Sequence, residues 1–159
     1  MRNRTIRGFT LIELVITVAI IGVLASAALP LASMAAQRAR ESELRAGLRE
    51  IRTAIDAYKQ AVDQGRVKAE ADTSGYPPSL QVLVDGVEDQ QSETKVQIYF
   101  LRRLPRDPFF PDQNVAPGET WGLRSYASPP SDPQPGEDVF DVLSLSSGKG
   151  LNGIAYRDW

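Results

Sequence analysis

A long apolar segment lies near the N-terminus of this chain. Residues 9–29 form a run of 21 positions in which Glu13 is the only charged side chain. Because an α-helix rises about 1.5 Å per residue and the hydrocarbon core of a bilayer is about 30 Å thick, this run is long enough to span a membrane as a helix. A carboxylate inside such a span costs about 2.5–3.5 kcal/mol on insertion scales. The sequence therefore predicts a membrane helix in which Glu13 has a role.

The residues before the apolar run indicate how it is oriented. Arg2, Arg4 and Arg7 precede it, and positively charged flanks of a membrane helix remain on the cytoplasmic side. We therefore expect a single membrane crossing, with everything after Leu29 outside the cytoplasm.

An ordinary secretory signal peptide is an alternative interpretation of the same segment. It too combines a basic start with an apolar region, and Ala25-Ser26-Ala27 fits the small-residue cleavage site of such a peptide. That interpretation predicts a mature chain that begins at Ala28 and acts as an exported soluble binding protein. Against it, the apolar run exceeds the usual length of about 7–15 residues and contains Glu13.

The junction between the basic start and the apolar run resembles a processing motif. Gly8-Phe9-Thr10-Leu11-Ile12-Glu13 is similar to the motif of type IV pilins and of the pseudopilins of type II secretion. In that family a membrane peptidase cuts after the glycine, and the new N-terminal phenylalanine is methylated. The resemblance implies that residues 1–8 are a cleaved leader, with cleavage at Gly8 and methylation at Phe9.

The same resemblance gives two residues of the membrane segment a role in assembly. It implies that, in a filament, Glu13 pairs with the free α-amino group of Phe9 of a neighbouring subunit. Pro30 falls where these proteins carry a proline within the long N-terminal helix. Because proline cannot donate the helical hydrogen bond and crowds the preceding turn, we expect the helix to bend or loosen there.

The composition excludes most enzyme chemistries. The chain has no cysteine and no histidine, which removes disulfide bonds, Ser-His-Asp and Cys-His catalysis, and nearly all zinc sites. No spacing in the sequence indicates a carboxylate pair or a Ser-Lys dyad, so we do not expect an enzyme. The net charge is −2 and there is no basic tail, so we expect no nucleic-acid partner.

Beyond Pro30 the hydrophobic pattern predicts that the helix continues. Apolar residues recur at steps of three and four, which places them on one face of a helix: Leu44, Leu48, Ile51, Ile55, Tyr58 and Val62. The opposite face is predicted to carry charged side chains: Arg38, Arg40, Glu41, Glu43, Arg45, Arg49, Glu50 and Arg52. The sequence thus predicts one helix from about Phe9 to about Gln64, with Gly65 as its stop signal.

After this helix the sequence predicts a connector with short elements. Residues 65–94 are mostly polar, and within them Ser79 is a candidate N-cap for a short helix over residues 80–84. Residues 85–95 are expected to form a loop. Residues 96–101 fit either a strand or a helical turn, which periodicity alone does not separate.

Two strands are predicted in the last third of the chain. Residues 121–126 and 139–145 flank a loop rich in proline and glycine over residues 128–137. The expected fold class is α+β, with the long N-terminal helix packed on a small antiparallel β-sheet head. Residues 9–30 are then the transmembrane and assembly helix, and residues 31–159 are a periplasmic globular domain that includes the second half of the helix.

The second half of the chain is similar to the major pseudopilins of type II secretion. In these proteins a Tyr-Pro pair opens the loop after the long helix. A Leu-Pro-x-Asp-Pro segment, an aromatic strand, a serine-containing strand and a C-terminal tryptophan follow. The counterparts here are Tyr76-Pro77, Leu104-Pro105-Arg106-Asp107-Pro108, Trp121–Tyr126, Asp141–Leu145 and Trp159. The resemblance implies the fold of the type IV pilins.

The resemblance also bears on calcium. Secretion pseudopilins often bind Ca²⁺ in the loop after the last strand, through acidic side chains and backbone carbonyls, which are oxygen ligands that suit this ion. It implies Asp138 and Asp141 as candidate ligands. Where the family would supply a further aspartate, this chain has Ser146-Ser147-Gly148-Lys149. The expected cofactor is therefore none or Ca²⁺, and a solvated acidic turn is the alternative.

The resemblance implies a structural function. The chain would be a subunit of a type II secretion pseudopilus, assembled from the bacterial inner membrane into a periplasmic filament that helps to export folded proteins. Expected partners are further copies of the chain, the prepilin peptidase, other pseudopilins and the inner-membrane secretion platform. A type IV pilin or minor pilin-like subunit for adhesion, motility or DNA uptake is the alternative within the same family.

Overall fold

A computed structural model of the chain describes residues 9–69 and 73–159, without the side chains of residues 27–30. The chain divides into two compact units, Met1–Ala39 and Arg40–Trp159. Along the described residues, a long helix and a short helix are followed by two short strands, a 3₁₀ turn, two further strands and a last 3₁₀ turn. This architecture confirms the predicted α+β class with a long N-terminal helix.

The long helix α1 comprises Leu11–Asp63, 53 residues. It begins after Thr10, whose side-chain oxygen accepts a hydrogen bond from the backbone N–H of Glu13 at 3.3 Å. This is an N-cap, in which a threonine satisfies one of the free N–H groups of the first turn. Within the described residues α1 is the one helix long and apolar enough to cross a membrane.

Gly65 ends α1, as predicted. Its φ is +71°, and its N–H donates to the carbonyl of Val62 at 2.8 Å, while the N–H of Arg66 donates to the carbonyl of Ala61 at 2.9 Å. These two bonds form a Schellman motif, which satisfies carbonyls that the last helical turn leaves free. Glycine suits the central position because it adopts a positive φ without steric cost.

The core of the second unit lies against one face of α1. Leu44, Leu48, Ile51 and Ile55 are 0–2 % exposed, which confirms the predicted apolar stripe. Buried residues from the rest of the unit complete this core: Leu80, Leu83, Leu101, Trp121, Val139, Val142 and Tyr156.

The short helix α2 comprises Val82–Asp85 and starts two residues later than predicted. Gln81 occupies its N-cap position without a side-chain cap, so Ser79 does not have the predicted capping role. The helix ends at Gly86, which has a φ of +81°. Its contribution to the core is Leu83, which is fully buried.

Strands β1, Val87–Glu88, and β2, Gln97–Ile98, form a two-stranded antiparallel sheet. In its register Val87 pairs with Ile98. The prediction of a loop over residues 85–95 is therefore wrong at β1. A two-residue strand gives no alternation of apolar and polar residues, so sequence pattern alone does not reveal it.

Strands β3, Trp121–Arg124, and β4, Asp141–Ser144, form a second antiparallel pair. The register places Trp121 opposite Ser144 and Arg124 opposite Asp141. Both predicted strands are confirmed, with shorter bounds. Short 3₁₀ helices at Pro117–Thr120 and Tyr156–Asp158 precede β3 and follow β4.

Candidate functional site

The first unit presents an apolar surface on every side of α1. Each large apolar side chain from Phe9 to Leu24 is 52–81 % exposed. Soluble monomers rarely expose an apolar patch of more than a few hundred Å², and a helix that is apolar all round belongs in a membrane or inside a larger assembly. This segment therefore requires lipid, other helices, or both around it.

Glu13 lies in the first turn of this apolar helix. The helix N-terminus carries a partial positive charge, so a carboxylate there is favourable by about 0.3–1 kcal/mol. That gain is smaller than the cost of burying a lone carboxylate among apolar side chains. Once apolar surroundings cover it, Glu13 requires a cation.

Two of the predicted assembly and processing sites fall outside what the structure describes. Gly8 precedes the first described residue, and the side chain of Pro30 is not described. The side chain of Ala28, the alternative mature N-terminus, is not described either. Cleavage at Gly8, methylation at Phe9 and the bend at Pro30 remain predictions.

In the second unit, Glu41 is buried rather than solvated. Its side chain is 6 % exposed, and one carboxylate oxygen accepts hydrogen bonds from the N–H of Leu151 at 2.8 Å and the hydroxyl of Tyr156 at 3.1 Å. The prediction that Glu41 lies on the solvent-facing side of α1 is therefore wrong. The residue continues the apolar stripe one step before Leu44, and it fastens the end of the chain to the helix.

Arg52 also contacts the rest of the second unit, although 37 % of its side chain is exposed. Its Nε donates to Asp141 Oδ1 at 2.7 Å, and a terminal nitrogen donates to the backbone oxygens of Val142 at 3.0 Å and Trp159 at 2.9 Å. One guanidinium thus joins α1, β4 and the last residue. The planar, five-donor geometry of arginine makes this multiple contact possible, and lysine does not reproduce it.

Asp141, one of the two calcium candidates, lies between two guanidinium groups. Its Oδ1 accepts from Arg52 and from the N–H of Val142 at 2.8 Å. Its Oδ2 accepts from Arg124 at 3.4 Å, and the Arg124 guanidinium lies 4.6 Å from the centre of the Phe140 ring. The carboxylate is thereby compensated by protein cations.

Asp138, the other calcium candidate, has protein donors on both oxygens. Oδ1 accepts from the N–H of Tyr126 at 2.8 Å, and Oδ2 accepts from the hydroxyl of Ser74. Among the described residues no group of three or more acidic side chains is placed to hold a metal ion. Because both carboxylates already accept hydrogen bonds from protein groups, Asp138 and Asp141 do not fit a Ca²⁺ site.

The Leu104–Pro108 segment is fixed to the β3–β4 sheet by a buried polar network. Asp107 is 1 % exposed. Its carboxylate accepts from the hydroxyl of Ser144 at 2.5 Å and from the N–H of Phe109 at 2.8 Å. The indole N–H of Trp121 donates to the carbonyl of Pro105 at 2.9 Å. This segment, singled out by resemblance, has a structural role here because its polar groups are satisfied inside the protein.

Arg66 and Asp89 connect the residues after α1 to the β1–β2 hairpin. Arg66 donates twice to one carboxylate oxygen of Asp89, at 2.6 and 3.0 Å. The hydrogen bond from Arg66 lowers the pKa of Asp89, and the N–H of Gln91 adds to that effect. A lowered carboxyl pKa means that this pairing stabilises the fold above about pH 4 and is lost as the pH falls below that value.

Comparison with known proteins gives one matching family model and several similar proteins. A family model described as "Prokaryotic N-terminal methylation motif" matches residues 3–29. The type II secretion system core protein G of Klebsiella pneumoniae is 30 % identical over 139 residues, which cover 84 % of this chain and 91 % of that protein. Proteins of the same name from Klebsiella michiganensis and Dickeya chrysanthemi are 29 % and 26 % identical, with 92 % and 95 % of their lengths covered. No solved structure gives a significant match.

Proposed function

Because this chain belongs to the family of the type II secretion system core protein G, the major pseudopilin, we propose that it is a structural subunit of a type II secretion pseudopilus. The subunit resides in the inner membrane and then assembles into a periplasmic filament that helps to export folded proteins. The observation that carries this proposal is the exposed apolar helix with one carboxylate near its start.

The apolar helix is both a membrane anchor and an assembly surface. In the bilayer, lipid covers the side chains from Phe9 to Leu24. In a filament, the same side chains of many subunits cover one another. Since both environments are apolar, a subunit moves from one to the other without exposing this surface to water. Residues 9–30 therefore serve as anchor and filament core, and residues 31–159 form the periplasmic head.

Cleavage after Gly8 supplies the cation that Glu13 requires. It removes the leader, residues 1–8, and frees the α-amino group of Phe9. A buried carboxylate is tolerated when it is paired, whereas removal of one partner of a buried pair costs about 3–5 kcal/mol. The amine of Phe9 in a neighbouring subunit pairs with Glu13, so that processing by the prepilin peptidase is a precondition of assembly.

The function requires interaction surfaces rather than a catalytic centre. Its partners are other copies of the chain, the prepilin peptidase that removes the leader, other pseudopilins and the secretion platform of the inner membrane. The chain crosses that membrane once, with its head in the periplasm, and it works without an enzymatic activity of its own.

Replacing Glu13 tests this proposal in the host. The chromosomal copy is deleted and complemented with wild type, Glu13→Ala or Glu43→Ala. Glu43 is a matched control because it is an exposed carboxylate on the same helix. Glu13→Ala should be processed and retain a folded head, yet give fewer filaments under overexpression and less secreted cargo. Glu43→Ala should match wild type.

Filament yield and cargo secretion are the two measurements. If Glu13→Ala assembled as many filaments as wild type, the pairing role of Glu13 would be excluded. If the deletion left secretion intact but abolished surface pili or motility, the chain would belong to a type IV pilus instead.

A further inference from the structure

We propose that the C-terminal segment, residues 145–159, is clamped to α1 by the helix side chains Arg52 and Glu41, so that the head needs no bound calcium to hold this segment. The clamp concerns the folded head and does not depend on the proposed function. The resemblance implies Asp138 and Asp141 as calcium ligands. In the structure, both carboxylates accept hydrogen bonds from protein groups instead.

Arg52 provides the first half of the clamp. A cation that joins β4 to the segment after it must contact acceptors from both, and the Arg52 guanidinium does this. It donates to the Asp141 carboxylate and the Val142 carbonyl on β4, and to the backbone oxygen of Trp159 at the far end of the segment. Its positive charge is covalently attached to α1, so it is present without any bound ion.

A second guanidinium makes the surroundings of Asp141 unfavourable for a metal ion. Arg124 approaches the other carboxylate oxygen at 3.4 Å, and only 15 % of its side chain is exposed. A divalent cation at Asp141 would compete with hydrogen bonds from two arginines and would be repelled by both charges. Calcium also needs six to eight oxygen ligands, and both oxygens of Asp138 already accept hydrogen bonds.

Glu41 provides the second half of the clamp. It lies about three helical turns before Arg52, so both side chains leave α1 on the same side. Its buried carboxylate accepts from the N–H of Leu151 and the hydroxyl of Tyr156. Tyr156 is in turn stacked on Phe109, with ring centres 4.1 Å apart. The segment is thus fastened to α1 at its middle and at its end by groups of opposite charge.

Thermal melting of the processed full chain in detergent tests the clamp. The signal is the near-ultraviolet circular dichroism of the tryptophans, and Trp159 reports on the segment directly. Wild type should melt at the same temperature in millimolar CaCl₂ and in excess chelator. Arg52→Gln should melt about 3–8 °C lower in both conditions, as expected for the loss of charge-assisted hydrogen bonds in a domain of this size.

Two further variants make the result specific. Arg49→Gln is the matched control, an exposed arginine one turn from Arg52 on α1, and it should melt within about 1 °C of wild type. Arg52→Lys keeps the charge without the planar group, so it should fall between wild type and Arg52→Gln. This variant keeps the test informative if Arg52→Gln fails to fold.

The proposal would be overturned by a melting temperature of wild type that rises by several degrees in CaCl₂, because binding to the folded state alone raises stability. It would equally be overturned if Arg52→Gln melted like Arg49→Gln. Filament assembly gives a separate measurement: it should proceed in excess chelator. A chain that forms no filaments with or without calcium would count against the proposed function and not against the clamp, which the melting data decide.

Discussion

Single side chains on the buried face of α1 set much of the stability of the head. Leu48 is 2 % exposed and lies in one cluster with residues of α2, β3 and β4. Gly47 beside it has no side chain, and a Cβ there would stand 3.3 Å from the Trp121 ring. The close approach of Trp121 to α1 therefore depends on the absence of a side chain at Gly47.

Truncation of Leu48 measures this packing. Leu48→Ala should lower the free energy of unfolding by about 2–5 kcal/mol, because it removes buried methyl groups and leaves a cavity. Chemical denaturation followed by tryptophan fluorescence gives the value. Leu145→Ala is the control, since Leu145 is 53 % exposed and its truncation should change stability by less than about 0.5 kcal/mol. A loss below that level for Leu48→Ala would mean that the stripe does not hold the head.

The charged residues of α1 show where sequence pattern stops being informative. Charge alone predicts a solvent-facing position for Glu41 and Arg52, although each is three or four residues from an apolar stripe residue. That spacing puts Glu41 on the same face of the helix as Leu44, and Arg52 on the same face as Leu48. Their partners, Tyr156 and Asp141, lie far away in sequence, so the chain pattern alone does not identify them.

At the scale of elements, α1 is defined by local chemistry at both ends. Thr10 caps its start, and Gly65 ends it through a Schellman motif. Signals of this kind involve residues within one turn, which explains why the end of the helix is predictable. The β1–β2 pair is not, because its strands are two residues long and depend on partners across the hairpin. Strands β3 and β4 are predictable because proline and glycine residues separate two apolar runs.

Substitution of Gly65 tests the helix end. Gly65→Ala should destabilise the head by about 1 kcal/mol, because a side chain disfavours the positive φ of this position. A Cβ there would approach no atom closer than 3.9 Å, so the expected loss is conformational and not due to a clash. Thermal melting should show a decrease of about 2–4 °C. Gln64→Ala, at the neighbouring exposed position, should leave the melting temperature unchanged, and an equal effect of both variants would argue against a specific cap.

At the scale of the whole molecule, the chain combines two units with opposite requirements. The first unit, Met1–Ala39, exposes apolar side chains that need lipid or other subunits. The second unit, Arg40–Trp159, has its own buried core and buried polar side chains that are hydrogen-bonded within it. This combination matches a protein that is stored in a membrane and then assembled. The basic start, the length of the apolar run and the motif at residues 8–13 predict the membrane and assembly segment from sequence alone, because all three are local signals.

The chemical identity of the mature N-terminus shows directly whether the leader is cut after Gly8. Mass spectrometry of the chain from host membranes, with wild type and Gly8→Leu compared, gives this identity. Wild type should begin at Phe9 with a methyl group on its amine, and Gly8→Leu should remain uncleaved because a bulky side chain stands at the junction. A wild-type chain that begins at Ala28, or a Gly8→Leu chain that still begins at Phe9, would contradict it.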